Sequence, residues 1–223
     1  MNHLFSTFIS LLFPSRCPIC RTFLDRDMMC DPCRTNMTLL ADLIRQEGSE
    51  SVDLFYSLYP YGNASVKTLL FAMKNKGHRN ALAFVSEQMA RHIRQDSFLS
   101  GVSLVTYAPR RPGEKQRYGF DQAQLLARKI AARLSLPCIP ALLRKPGGKK
   151  QRGLTGEERA LNVKEKFIAN PHYDLAGNTV LLIDDVITTG STVKECASVL
   201  KLHMGVHKVY AFSFTSPSIQ TDV

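Results

Sequence analysis

The chain has 223 residues, of which 44% are hydrophobic and 22% are charged, values close to those of average globular proteins. This composition excludes a mostly disordered chain, and the length fits one ordinary domain with a small appendage or two small domains. No apolar stretch approaches the ~18 residues that a membrane-spanning helix needs, so we expect no integral membrane segment.

The net charge of +10 is concentrated in one part of the chain. Residues 107–166 hold 15 basic and 5 acidic residues, whereas residues 1–106 hold 11 and 9, and residues 167–223 hold 3 and 5. Such clustering is typical of a surface that binds polyanions. A lysine-rich face that only contacts solvent is the alternative.

The first apolar run, residues 4–13, lacks the features of a secretory signal. No Lys or Arg precedes it, and no small-residue cleavage site follows it. Apolar side chains at three- and four-residue spacing predict a short amphipathic helix that docks on the body of the protein or on a partner. Nothing here indicates export, so we expect a cytoplasmic protein. Peripheral contact with the inner face of the membrane is a further possibility that the sequence leaves open.

Four cysteines follow in two C-x2-C pairs separated by nine residues: Cys17, Cys20, Cys30 and Cys33. Each pair points two thiolates at one position, and two pairs complete a tetrahedral sulfur site that suits zinc. We expect the intervening residues to form a compact hairpin around residues 25–27. A closed site of this kind holds structure rather than catalyses, and disulfides or redox-active dithiols are the alternative.

The rest of the chain alternates strand and helix patterns. In chain order the pattern predicts a helix over 37–46, a strand or hairpin over 52–61, helices over 64–75 and 81–94, a strand over 102–107, a helix over 120–134, a mobile loop over 144–156, a strand over 179–183, a helix over 191–203 and a last strand over 206–215. Strands that alternate with helices of 10–15 residues indicate an α/β fold with a mostly parallel sheet flanked by helices.

The most specific segment is residues 180–192, VLLIDDVITTGST. An apolar strand delivers two adjacent carboxylates, Asp184 and Asp185, to the carboxyl edge of the sheet, where we expect them to face solvent. The residues that follow open a helix and can surround a phosphate with N–H and O–H donors, namely Thr188, Thr189, Gly190, Ser191 and Thr192. Acids beside an anion-binding loop suit a ligand that also presents hydroxyls, as a ribose 5-phosphate does.

This segment resembles the 5-phosphoribosyl-1-pyrophosphate (PRPP) signature of type I phosphoribosyltransferases. Further stretches resemble the ComF family of competence-associated, phosphoribosyltransferase-like proteins, and this resemblance covers about residues 10–215. The stretches that carry this resemblance are the four cysteines, Tyr61-Gly62 with Lys74, Arg110-Arg111, Tyr118-Gly119-Phe120-Asp121-Gln122-Ala123, Gln151, Leu154, Glu158-Arg159, Asn162 and Phe167. The chain departs from the family pattern at residues 106–109, which read Thr-Tyr-Ala-Pro instead of Val-Pro-Val-Pro, and at Asp121, where the family has Asn.

The resemblance implies four segments and a set of basic ligand-binding residues. The segments are an N-terminal helix with a zinc ribbon (1–36), a linker helix (37–50), a phosphoribosyltransferase-like domain (51–216) and a C-terminal tail (217–223). In such a domain Mg²⁺ accompanies PRPP, and cations neutralise its pyrophosphate. The candidates for pyrophosphate or for a DNA backbone are Arg110, Arg111, Lys115, Lys149, Lys150, Gln151 and Arg152, and a solvated surface is the alternative for each of them.

Two functions of different classes remain open from the sequence. The resemblance implies a protein that handles incoming single-stranded DNA in natural transformation, beside an ATP-driven, helicase-like translocase. The alternative is an active phosphoribosyltransferase with an unknown acceptor, and a regulator controlled by PRPP is a third hypothesis. No segment of the sequence indicates a nucleobase pocket.

Overall fold

The structure is a computed structural model that describes residues 15–25, 27–41, 44–76, 78–110, 120–145 and 166–217. The predicted N-terminal amphipathic helix lies outside the described residues. So do most of the candidates for binding pyrophosphate or a DNA backbone, namely Arg111, Lys115, Lys149, Lys150, Gln151 and Arg152.

The described elements follow the predicted alternation of strands and helices. The strands are β1 (Ser15–Arg16), β2 (Phe23–Leu24), β3 (Ile44–Glu47), β4 (Leu54–Pro60), β5 (Leu104–Tyr107), β6 (Leu142–Arg144), β7 (Phe167–Ala169), β8 (Thr179–Val186) and β9 (Lys208–Ser216). The helices are α1 (Asp31–Leu40), α2 (Ala64–Lys76), α3 (Arg79–Gln95), α4 (Gln122–Leu134) and α5 (Ser191–Met204), with a 3₁₀ turn at Ser97–Gly101.

Five strands form the central sheet in the order β3-β4-β9-β8-β5. β3 is antiparallel to β4, and the other neighbouring strands are parallel. In β8, Leu181 and Ile183 belong to the core on one face of the sheet, and Val180 and Leu182 belong to the core on the other. A strand that is buried on both faces needs apolar residues at every position, which explains its continuous apolar sequence.

Helices cover both faces of this sheet. Helices α2, α3 and α4 pack on one face, and α5 packs on the other together with the β6–β7 hairpin. This arrangement confirms the predicted α/β class with a mostly parallel sheet flanked by helices. Within the described ranges, no helix combines the length and the apolar character needed to cross a membrane.

The predicted linker helix over residues 37–46 is wrong. Helix α1 ends at Leu40, and Ile44–Glu47 is the edge strand β3, which pairs with β4 over its whole length. The residue types of this segment tolerate a helix, but β4 without β3 would present an unpaired edge, and pairing with that edge decides the outcome. Helix α1 also crosses the predicted boundary between residues 36 and 37, and the domain boundaries stay a prediction.

Two further elements differ from the sequence pattern. The N-terminal hairpin pairs Ser15 with Leu24 and Arg16 with Phe23, so its turn contains the first cysteine pair and does not lie around residues 25–27. The predicted loop from residue 144 begins within β6, because Arg144 pairs with Phe167 of β7. Strands of two or three residues are too short to leave a periodic signal in the sequence.

Candidate functional site

The paired acids Asp184 and Asp185 lie at the carboxyl end of β8. The neighbouring strand β5 ends at the same edge, because the two strands are parallel and the N–H of Ala108 donates to the carbonyl of Ile183 at 3.1 Å. The chain that leaves β5 therefore reaches Arg110 beside the acids that leave β8. Ligands of open α/β sheets bind at this kind of edge.

The loop between β8 and α5 turns through Gly190, which has φ +73°. This left-handed conformation favours glycine, and a Cβ atom there would also lie 3.4 Å from the ring of Phe55. Gly190, the N-cap residue of α5, has no side chain that could cap the helix, and the N–H of Ser191 donates to the hydroxyl of Thr189 at 3.4 Å. The hydroxyls of Thr189 and Ser191 lie 3.2 Å apart at the exposed surface of the loop.

These residues lie along an open groove. Its lining residues are Asp184, Val186, Ile187, Thr188, Gly190, Ser191, Thr192 and Val193. Uncapped N–H groups at a helix N-terminus and hydroxyl donors attract an anion, and the carboxyl group at the rim accepts hydrogen bonds from hydroxyls. The groove therefore has the chemistry of a site for a phosphate that is attached to a polyol.

Asp185 is held by two cations that come from different parts of the chain. Its carboxylate lies 3.2 Å from the ammonium of Lys74 on α2 and 3.3 Å from the guanidinium of Arg110. The residue is 8% exposed. A carboxylate this buried needs charged partners, because desolvation without pairing is costly.

Two consecutive residues at the start of α4 fix the backbones of these cations. Asp121 accepts a hydrogen bond from the backbone N–H of Arg110, and the amide of Gln122 donates to the carbonyl of Lys74 at 2.5 Å. Both side chains are buried. The N-terminus of α4 thus holds α2 and the loop after β5 around Asp185.

Asp184 differs electrostatically from its neighbour. Burial, followed by the charge of Asp185, raises the pKa of Asp184 from 3.8 to about 8, although the N–H of Asp185 and the ammonium of Lys74 oppose this shift. The carboxyl group of Asp184 is therefore largely protonated at neutral pH. The expectation that both acids face solvent is wrong for Asp185, which is buried, whereas Asp184 is half-buried and lines the groove.

The four-cysteine cluster forms a second candidate site. The sulfurs of Cys17, Cys20, Cys30 and Cys33 all lie within 4.8 Å of one another. Cys20 and Cys30 are 3.5 Å apart, and Cys30 and Cys17 are 3.7 Å apart. A hydrogen bond with Thr22 lowers the pKa of Cys20 to about 6, which favours the thiolate that metals bind. The four cysteines are thus arranged to hold a metal ion.

This cluster is attached to the body of the protein. Cys17 and Met29 are fully buried in the core on the face covered by α2, α3 and α4. The amide of Asn80 on α3 donates to the hydroxyl of Ser15 at 2.7 Å. The cysteine region therefore shares its apolar contacts with the central sheet.

The structure brings together several residues that the sequence singled out. The two acids, the loop from Thr188 to Thr192 and Arg110 share one edge of the sheet. Sequence reasoning missed Lys74 and Gln122 as parts of this site. Their only signal was that both lie in the stretches that resemble the ComF family.

Comparison with known proteins gives two informative sequence relatives. The chain is 34% identical to Competence protein F of Haemophilus influenzae over 95 residues, which is 42% of this chain and 41% of that protein. The predicted resemblance to the ComF family is confirmed. The chain is also 27% identical to adenine phosphoribosyltransferase of Actinobacillus succinogenes over 125 residues, 56% of this chain and 68% of the relative. No family model matches this chain.

Solved structures similar to this chain include phosphoribosyltransferases and a PRPP amidotransferase. Adenine phosphoribosyltransferase from Saccharomyces cerevisiae has a TM-score of 0.41 and 16% identity over 83% of this chain and 89% of that one. The corresponding enzyme from Thermoanaerobacter pseudethanolicus has a TM-score of 0.43 and 13% identity over 82% and 99%. Glutamine PRPP amidotransferase from B. subtilis has a TM-score of 0.42 and 20% identity over 59% of this chain and 26% of that one.

Proposed function

We propose that the protein handles single-stranded DNA in natural transformation and carries a PRPP-type ribose-phosphate site at Asp184–Thr192. The observation that carries this proposal is the pair of acids directly beside an uncapped, hydroxyl-rich helix N-terminus. The similarity to Competence protein F supports the role in competence. The protein would act in the cytoplasm beside an ATP-driven, helicase-like translocase.

The groove supports a ribose phosphate rather than a bare anion. The loop supplies N–H and hydroxyl donors for the 5-phosphate, and the acids supply acceptors for the 2- and 3-hydroxyls of the sugar. A bare phosphate would gain nothing from Asp184 and Asp185. Mg²⁺ accompanies PRPP in this proposal, bound mainly by the phosphate oxygens of the ligand, as is usual for this ion.

Titration calorimetry with Mg-PRPP tests the site. Replacing both acids, Asp184→Asn and Asp185→Asn, removes the charged acceptor of Asp185, which contributes about 1.5–3 kcal/mol per hydrogen bond, together with the carboxyl group of Asp184, so we expect affinity to fall at least tenfold. Glu47→Gln, an exposed acid on the edge strand β3, is the control and should bind as the wild type does. Unchanged PRPP binding in the double variant would refute the proposed site.

An active phosphoribosyltransferase is the second candidate. Arg110 and Lys74 lie beside the acids and could neutralise a departing pyrophosphate. The test is the release of pyrophosphate from Mg-PRPP, measured with single-stranded DNA or with free nucleobases as acceptor. Pyrophosphate release above the level seen with the double acid variant would favour an enzyme. No release above that level would favour a protein that only binds PRPP.

We also propose that the four cysteines hold one structural zinc ion. Tetrahedral zinc with Zn–S bonds of about 2.3 Å separates its sulfurs by about 3.8 Å. The distances of 3.5 and 3.7 Å that involve Cys30 are close to this value. Four sulfur ligands leave no open position, so the ion would stabilise the fold and would not take part in chemistry.

A further inference from the structure

We propose that Lys74 binds the pyrophosphate group of the ligand and exchanges its contact with Asp185 for this one. The inference rests on the proposed ribose-phosphate site and extends it to a residue of helix α2. The juxtaposition that carries it is one carboxylate held by two cations from separate elements, at the edge of a phosphate groove.

The position of Lys74 relative to the loop indicates which phosphate it meets. In a bound PRPP the 5-phosphate lies in the loop after β8, and the acids accept from the 2- and 3-hydroxyls. The pyrophosphate on C1 then lies beyond the acids, on the side away from the loop. Lys74 and Arg110 contact Asp185 from α2 and from the chain after β5, and neither residue lines the phosphate groove.

Both cations are needed because a pyrophosphate carries more charge than one guanidinium neutralises. Asp185 does not require two partners for its own burial, since one ion pair compensates one charge. The ammonium of Lys74 is a compact donor of three hydrogen bonds, and its side chain is 34% exposed. It therefore remains accessible to a ligand while it contacts Asp185.

The backbone of Lys74 is fixed although its side chain can move. The amide of Gln122, which is 1% exposed, donates to the Lys74 carbonyl and joins the end of α2 to α4. The four-carbon side chain can then turn from Asp185 to a neighbouring phosphate without movement of the helix. Such a transfer would also free Asp185 to accept from the ribose hydroxyls.

The experiment compares two ligands that differ only in the pyrophosphate. For Lys74→Gln, calorimetry should show affinity for Mg-PRPP at least tenfold below that of the wild type. Affinity for ribose 5-phosphate should stay within about twofold. Lys67→Gln, on the same helix, is the control, because Lys67 lies over the ring of Tyr61 and should not affect either ligand. Lys74→Arg keeps the charge and should retain most of the PRPP affinity.

A measurement on the wild-type protein complements the variants in case Lys74→Gln does not fold. Acetylation of lysines with an amine-reactive reagent, read by mass spectrometry, should be slowed at Lys74 by Mg-PRPP but not by ribose 5-phosphate. Lys67 in the same sample is the internal reference. Labelling of Lys74 that PRPP leaves unchanged would overturn the inference.

The remaining outcomes are also decisive. Wild-type PRPP affinity in Lys74→Gln overturns the inference and leaves the proposed function intact. An equal loss of affinity for both ligands in that variant overturns the inference as well, because such a result shows that Lys74 only maintains the acid pair. If the wild-type protein binds neither ligand, the ribose-phosphate site itself is wrong.

Discussion

Asp121 accepts a hydrogen bond from the backbone N–H of Arg110 at 2.9 Å through one carboxylate oxygen. Its other oxygen accepts from the N–H of Gln124 at 3.2 Å and caps helix α4. One buried side chain therefore serves a helix cap and the main chain of a site cation at the same time. An asparagine, which the ComF pattern has here, offers one acceptor oxygen in place of two and cannot accept from these two donors through separate oxygens.

This double role predicts a cost for Asp121→Asn. The variant keeps the cap but leaves the N–H of Arg110 facing an amide nitrogen, so we expect a loss of roughly 1–3 kcal/mol in the free energy of unfolding by urea. Asp96→Asn is the matched control, because Asp96 caps the 3₁₀ turn by accepting from Phe98 alone. Equal stability of Asp121→Asn and the wild type would contradict this account.

Gly190→Ala should weaken both stability and phosphate binding. The left-handed conformation costs a residue with a Cβ atom about 1–2 kcal/mol, and the added methyl group contacts the ring of Phe55. We expect a lower unfolding midpoint and at least tenfold weaker binding of ribose 5-phosphate. Gly101→Ala, where an added methyl group meets no atom within 4 Å, is the control for the glycine change.

The raised pKa of Asp184 predicts a pH-dependent stability. Between the ordinary pKa of 3.8 and the folded value of about 8, the folded state keeps a proton that the unfolded state has lost, so stability falls as pH rises through this range. Asp184→Asn mimics the protonated acid and should remove this component. In urea unfolding, the free energy of unfolding should fall less between pH 6 and pH 9 for the variant than for the wild type. Parallel losses would contradict the prediction, and Glu47→Gln is the control.

Metal analysis of the reduced protein should find one zinc ion per chain. Replacing Cys33 by Ser should abolish zinc binding, whereas Cys138→Ala, outside the cluster, should leave it unchanged. Because Cys17 and Met29 lie in the same core as helices α2–α4, removal of the metal should also lower the thermal midpoint of the body. Absence of zinc from freshly purified protein would refute the site.

Single-stranded DNA binding should depend on the basic segment, residues 107–166. Changing Lys149, Lys150 and Arg152 to Ala removes three candidate phosphate contacts, and the slope of log affinity against log salt should shrink by about 2, at ~0.7 per contact. Affinity should fall similarly for every sequence, because phosphate contacts carry no base information. Lys208→Ala is the control. An unchanged slope, or binding lost only when residues 1–36 are deleted, would place the DNA surface elsewhere.

The sequence alone determined the features that are local in the chain. The segment 180–192 contains a strand, two acids, a turn glycine and a helix start in one continuous run, so their order specifies the loop. The spacing of the four cysteines brings their sulfurs together for the same reason, since short turns connect each pair. Local geometry is read reliably because few alternative conformations satisfy it.

Only the tertiary structure decided what surrounds Asp185 and Asp184. Lys74 and Arg110 reach the same carboxylate from distant parts of the chain, and no local pattern marks a long-range ion pair. The pairing of Ile44–Glu47 with β4 depended on an available sheet edge, which overrode the helical preference of the segment. The raised pKa of Asp184 likewise follows from burial and from the charge of Asp185, and both exist only once the fold has formed.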